Sequence, residues 1–159
     1  MKFVFVFFFI FSYQVFANHT KFDKDLINLM SPLNDNQIGI NFLKEHKYEN
    51  AINFFLSNIN VNNSDSASNL GLIYEYLKND YITAEKYYTI SAIAGNAYGQ
   101  YNLGILNYII KKNKKTGYKW ITCSANQGYL LALEAKSFLL DNLMIDINQA
   151  NLIEENLTC

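Results

Sequence analysis

From Asn36 onward the chain lays out short apolar stripes separated by polar breaks, and the stripes keep a helical spacing. Leu70, Ile73, Tyr74 and Leu77 follow i, i+3, i+4, i+7, one face of an amphipathic helix. Lys78-Asn79-Asp80 breaks that pattern. Residues 81–94 resume it, with Ala84, Tyr87, Tyr88, Ser91 and Ala92 on one side and Gly95-Asn96 as a helix stop. The next unit has its stripe at Leu103, Leu106 and Ile110, a turn over 111–115, a second helix over 118–127 and Gly128 as cap. An earlier unit pairs 37–45 with 48–59 across a His46-Lys47 turn, and a later one pairs 132–142 with 148–157. The predicted class is all-α, built from helix pairs.

The units repeat. Asn69-Leu70-Gly71 returns as Asn102-Leu103-Gly104, 33 positions on, and Ala92 and Gly95 return as Ala125 and Gly128 at the same step. A period between 20 and 50 residues marks a solenoid or array. Ala51, Ala84, Gly117 and Ala150 form a second series, and small residues at one recurring place let helices approach without a side chain between them. The expected architecture over 36–159 is an α-solenoid of stacked antiparallel helix pairs with three to four repeats. Residues 18–35 carry a short apolar helix over 23–30, with Asp23 as N-cap and Ser31-Pro32 as stop. Such a segment is expected to cap the exposed end of the array.

Asn69-Leu70-Gly71-Leu72-Ile73-Tyr74, Ala84, Tyr88, Ala92 and Gly95 resemble one Sel1-like repeat, a relative of the tetratricopeptide repeat. So do Gln100-Tyr101-Asn102-Leu103-Gly104-Ile105-Leu106, Trp120, Ala125 and Gly128. Asn107 departs from the family's Tyr, and Leu77 and Ile110 replace its loop Gly. The resemblance implies a right-handed superhelix with a concave inner face, and a role in holding other proteins. Some exported members are cysteine-rich and bind or hydrolyse β-lactams, each repeat carrying its own cysteine pair; no repeat here has two. Other small exported members resemble periplasmic immunity proteins.

Composition narrows the function classes. The formal net charge of −1, with 17% charged residues, makes no electrostatic case for nucleic acid. Met1-Lys2, the apolar run 3–11 and Val15-Phe16-Ala17 have the layout of a signal peptide (1–17) cut after Ala17. Nine apolar residues rise about 13 Å as a helix against a hydrocarbon core of about 30 Å, so no membrane span is expected after cleavage. The expected location is periplasmic or secreted. Export permits oxidation of Cys123 and Cys159. The 33-residue step places Cys123 opposite Asn156, with Cys159 one helical turn further, so a staple on the last repeat and two free thiols both remain open.

If first helices line the inner face, stepping by 33 gives four rungs: Ser68, Tyr101, Glu134; Leu72, Ile105, Phe138; Glu75, Tyr108, Asp141; and Tyr76, Ile109, Asn142. Aromatics and aliphatics edged with carboxylates have the composition of a protein-binding surface. The expected partner-binding residues are Leu72, Glu75, Tyr76, Tyr101, Ile105, Tyr108 and Ile109, with Glu75, Tyr76 and Tyr108 the most exposed; curvature burying Leu72, Ile105 and Tyr101 between repeats is the alternative. Such a wall suits a secreted effector or an envelope protein. The cluster Lys111-Lys112-Asn113-Lys114-Lys115 reads as a solvated turn at a helix C-terminus. His19 and His46 stand alone, so no metal or other cofactor is expected. No phosphate loop, nucleophile elbow or H-E-x-x-H segment appears, and Cys123 has no histidine placed as its base, so no catalytic residue is assigned.

Overall fold

Asparagine and aspartate side chains cap the starts of five of the described helices, and they do so at a fixed step. In the computed structural model, which describes residues 25–30, 36–59, 63–142 and 144–159, all regular structure among the described residues is helical. A short helix over 25–29 (α1) is followed by α2 (Gln37–Lys44), α3 (Tyr48–Asn58), α4 (Ser64–Tyr76) and α5 (Tyr81–Ile93). Then come α6 (Ala97–Ile105), running on into a π-helical turn (Leu106–Ile110), α7 (Lys114–Asn126), α8 (Leu130–Asp141) and α9 (Ile147–Glu155). The expected leader and its cut, His19, Asp23 and Ser31-Pro32 lie outside the described residues.

Asn63 accepts from the Ser66 amide at 3.3 Å and Asn96 from the Gly99 amide at 2.8 Å, the two caps standing 33 positions apart. A second series, also spaced by 33, starts α5, α7 and α9. Asp80 takes the Thr83 amide at 3.0 Å, Asn113 the Thr116 amide at 3.2 Å, and Asp146 the Asn148 and Gln149 amides at 2.9 and 3.1 Å. Each satisfies an otherwise unpaired first-turn N–H, a contribution of typically about 1 kcal/mol.

The turns inside the hairpins repeat as well. His46, Asn79 and Lys112 take left-handed backbone with φ of 57°, 51° and 58°, again 33 apart. The Lys78 amide reaches the Ile73 carbonyl at 3.3 Å and the Lys111 amide the Leu106 carbonyl at 3.2 Å, while the Asp80 and Asn113 amides reach the Tyr74 and Asn107 carbonyls, both at 2.9 Å. Between hairpins, Gly95 and Gly128 both have φ 81°, the helix-ending conformation that glycine adopts without a Cβ penalty.

The lysine cluster does not form one turn. Because Asn113 is a cap, α7 begins at Lys114, four residues before the expected start at 118, and Lys114 and Lys115 sit at a helix N-terminus. Cations there oppose the macrodipole instead of complementing it. Lys111 is bound by the Glu85 carboxylate at 2.8 and 3.0 Å, and Lys114 Nζ approaches the Met144 carbonyl at 3.4 Å.

From α2 to α8 each helix packs on the next, and α4 also touches α6, while α9 packs back on α7, so contacts reach one hairpin further. Backbones come close together between α6 and α7. A Cβ on Gly104 would lie 2.9 Å from the Ile121 amide nitrogen and 3.0 Å from the Gly117 carbonyl oxygen. One on Gly117 would lie 2.8 Å from the Tyr108 nitrogen and 2.9 Å from the Gly104 oxygen. Backbone atoms cannot swing aside as a side chain can, so the two glycines let these helices touch. Gly117→Ala is therefore expected to cost about 1–3 kcal/mol by urea denaturation, in the range of core overpacking; an unchanged midpoint would mean a looser contact. At the matching places Ala51, Ala84 and Ala150 are no more than 1% exposed.

Candidate partner-binding face

The seven residues expected to meet a partner separate into core, internal acceptor and accessible groups. Leu72 is 3% exposed and Tyr108 6% exposed, so neither offers surface, and both readings are corrected. Leu72 is tucked into the first core cluster, which also takes in Leu26 and Met30. Tyr108 packs its Cβ over Gly117, where the missing side chain leaves room, and its hydroxyl donates to the Met144 carbonyl at 2.7 Å. It therefore joins the π-helical turn to the chain ahead of α9.

Glu75 is half-buried and faces a neighbour. Its Oε2 accepts from the Tyr88 hydroxyl at 2.7 Å, and Tyr88 is a fully buried residue of α5. Burial pushes the Glu75 carboxyl up to about 7 from 4.5, with the Tyr88 hydrogen bond pulling the other way. A carboxyl so placed is no freely ionised rim charge at neutral pH. The remaining four, Tyr76, Tyr101, Ile105 and Ile109, are half-buried.

Two tyrosines outside the expected set complete this face. Tyr98 lies one turn before Tyr101 on α6, and its ring meets Tyr129 edge-on at 6.2 Å. Tyr129 also lies 5.5 Å from the Tyr101 ring. Burial raises the Tyr101 hydroxyl to about 12, with the Tyr129 hydroxyl and Glu134 adding to it. Tyr76 is raised by burial and then by Glu75, Tyr101 and Tyr98, so these groups share one electrostatic neighbourhood. Polar cross-links tie the first helices beneath them: Asn96 Nδ2 donates to Asp65 at 3.2 Å and Asn102 Nδ2 to Ser68 Oγ at 3.3 Å. The far edge on α8 has exposed Glu134, Asp141 and Asn142 with half-buried Phe138. Tyr98 was legible as the i−3 neighbour of Tyr101 on the same stripe. Tyr129 was hidden by its place in the loop before α8.

The same face is where the chain's own N-terminal helix sits. The Tyr98 hydroxyl donates to the Leu29 carbonyl, and Leu26 and Met30 are buried in the core cluster against which Tyr76 and Tyr98 pack. Residues 25–30 thus reach the third helix pair as well as the end of the array that they are expected to cap.

Comparison with family models, with curated proteins and with solved structures finds no match to this chain. The residues alone therefore carry the reading. Among the described residues no group of three His, Cys, Asp or Glu side chains is arranged to hold a metal ion, and no helix is long and apolar enough to cross a membrane.

At the other end, Cys123 of α7 is joined to Cys159 in a disulfide, with their Cα atoms 5.8 Å apart. Glu154 of α9 reinforces the join, accepting from the Tyr118 hydroxyl at 2.6 Å and pairing with Lys136 at 2.9 Å.

Proposed function

We propose that this chain is an exported α-solenoid of Sel1-like repeats that holds a protein partner on its inner, first-helix wall, as a periplasmic adaptor or an immunity-type inhibitor. The 33-residue recurrence of caps, left-handed turn residues and glycine stops supports the repeat reading. One observation carries the binding role. Half-buried Tyr76, Tyr101 and Ile105 lie with Tyr98 on neighbouring first helices, continued by Ile109 of the π-helical turn and Tyr129 of the loop before α8, and edged by exposed Glu134 and Asp141. Aromatic rings hold large contact area at low entropic cost, and carboxylates at the edge orient the encounter.

The mechanism is stoichiometric docking: the apolar rungs lose water, and the rim charges set register. Tyr101→Ala with Ile105→Ala is expected to keep the helical content yet lower partner capture from envelope extract at least tenfold. Ile82→Ala with Ile93→Ala, which alters the exposed side of α5, should leave capture unchanged. Equal capture by both double variants would move the site off the first-helix wall.

A further inference from the structure

Residues 25–30 place three apolar side chains, Leu26, Leu29 and Met30, at i, i+3 and i+4. That spacing puts them on one face of a helix. Leu26 and Met30 are buried, Ile27 and Leu29 are half-buried, and Asp25 and Asn28 point outward to solvent. The contact is held by a hydrogen bond between Tyr98 of α6 and the Leu29 carbonyl, across a separation of 69 residues. A capping element for the first helix pair has no need to reach that far. Besides sharing the core cluster with Ile40, Leu43 and Phe55 of the first pair, the segment meets α6 on the stripe that carries Tyr101 and Ile105.

A main-chain carbonyl as acceptor has a further consequence. The Tyr98 hydroxyl reads no side chain at that position, so any helix with the same apolar spacing presents the same acceptor at its frayed end. Recognition then rests on the apolar triplet alone, the mode of an amphipathic helix laid in a groove.

We propose that the wall over Tyr76 and Tyr98 is a groove for a short amphipathic helix with apolar residues at i, i+3 and i+4, and that residues 25–30 are its built-in occupant, displaced when a partner helix binds. The inference rests on the partner-binding reading above and names the partner's chemistry. A tethered occupant competes at an effective concentration in the millimolar range for a short linker, so a free helix binds only weakly until the segment is loosened.

The probe is a fluorescent synthetic peptide of residues 21–34, titrated against the full chain by anisotropy. The Leu26→Glu/Met30→Glu chain should bind it at least tenfold more tightly than the unaltered chain. A peptide carrying the same two substitutions should bind neither. Equal affinity of the native-sequence peptide for both chains, or no binding to a variant that retains its helical circular dichroism, would overturn the proposal. If the double variant does not fold, hydrogen exchange on the unaltered chain decides. Residues 25–30 should then exchange at least a hundredfold faster than α4 and α6, and equal protection would make them a fixed part of the core. If partner capture falls with Tyr101→Ala/Ile105→Ala but is indifferent to Leu26→Glu/Met30→Glu, the displacement idea fails while the binding reading stands. Capture indifferent to both pairs moves the site off the first-helix wall and removes the reading on which the proposal rests.

Discussion

Cys159→Ser is expected to lower the stability of the chain by about 3–4 kcal/mol, the chain-entropy value for a loop of this length. The bridge closes a separation of 36 residues that contains the whole of α8 and α9. Its effect should be local before it is global. Among the described residues α9 is held on α7 and α8 by the disulfide, by the Tyr118–Glu154 hydrogen bond and by the Lys136–Glu154 ion pair. A partly exposed ion pair of that sort is worth about 1 kcal/mol, so beside the buried Ala150 and Ile153 the covalent link is the largest polar or covalent tie. Hydrogen exchange of the Cys159→Ser chain should show α9 losing protection first, with α4 and α5 little changed. Urea midpoints that coincide with and without reductant would rule out a stabilising bridge.

A pH dependence of similar size is expected from Glu75. Its carboxyl is raised from 4.5 to about 7 by burial, so the folded chain favours the neutral acid. The sign follows from which state holds the proton more tightly. Below about 4.5 the carboxyl is protonated both folded and unfolded, and the fold bears no cost of a buried charge. As pH rises through about 7 the folded chain must ionise that carboxyl, and stability falls by up to about 3 kcal/mol across the window. Glu75→Gln keeps an acceptor for the Tyr88 hydroxyl and carries no charge. The variant should be flat over that window for this contribution and more stable than the parent at pH 8. Denaturation series at pH 5 and pH 8 on both chains measure the difference. A parent that gains stability between the two relative to Glu75→Gln would show the carboxylate to be well solvated or paired.

Much of the architecture was legible because it depends on local patterns. Helix pairs follow from the stripe at Leu70, Ile73 and Leu77 and its recurrence at Leu103 and Leu106, and the stops at Gly95 and Gly128 follow from their conformational freedom. The asparagine-rich composition was harder to interpret. Read as compositional bias, it conceals Asn63 and Asn96, caps 33 positions apart, and Asn113, which falls in step with the Asp80 and Asp146 caps. Once Asn113 is seen as a cap, Lys114 and Lys115 leave the loop for the first turn of α7.

The candidate face was legible only in part, for a physical reason. Helical periodicity says which residues share a side of one helix; it does not say what comes to cover that side. Tyr108 occupies a partner-facing rung by spacing, yet the gap left by Gly117 and the acceptor at Met144 draw it into the core. Glu75 reads as a rim charge until Tyr88 of the next helix takes it up. The contact between Leu29 and Tyr98 joins parts of the chain that no repeat relates. Tyr101 and Ile105 keep partial access because no described segment buries them fully.

A partner gripped along the first helices should be caught by a photo-crosslinking amino acid placed at Ile105 and missed by one placed, in a separate chain, at Ile82. Ile82 is 84% exposed on α5 and should give only background crosslinks. One discrete protein adduct is expected from position 105, and an excess of unlabelled chain should compete it away. An adduct formed from position 82 and absent from position 105 would contradict a grip along the first helices.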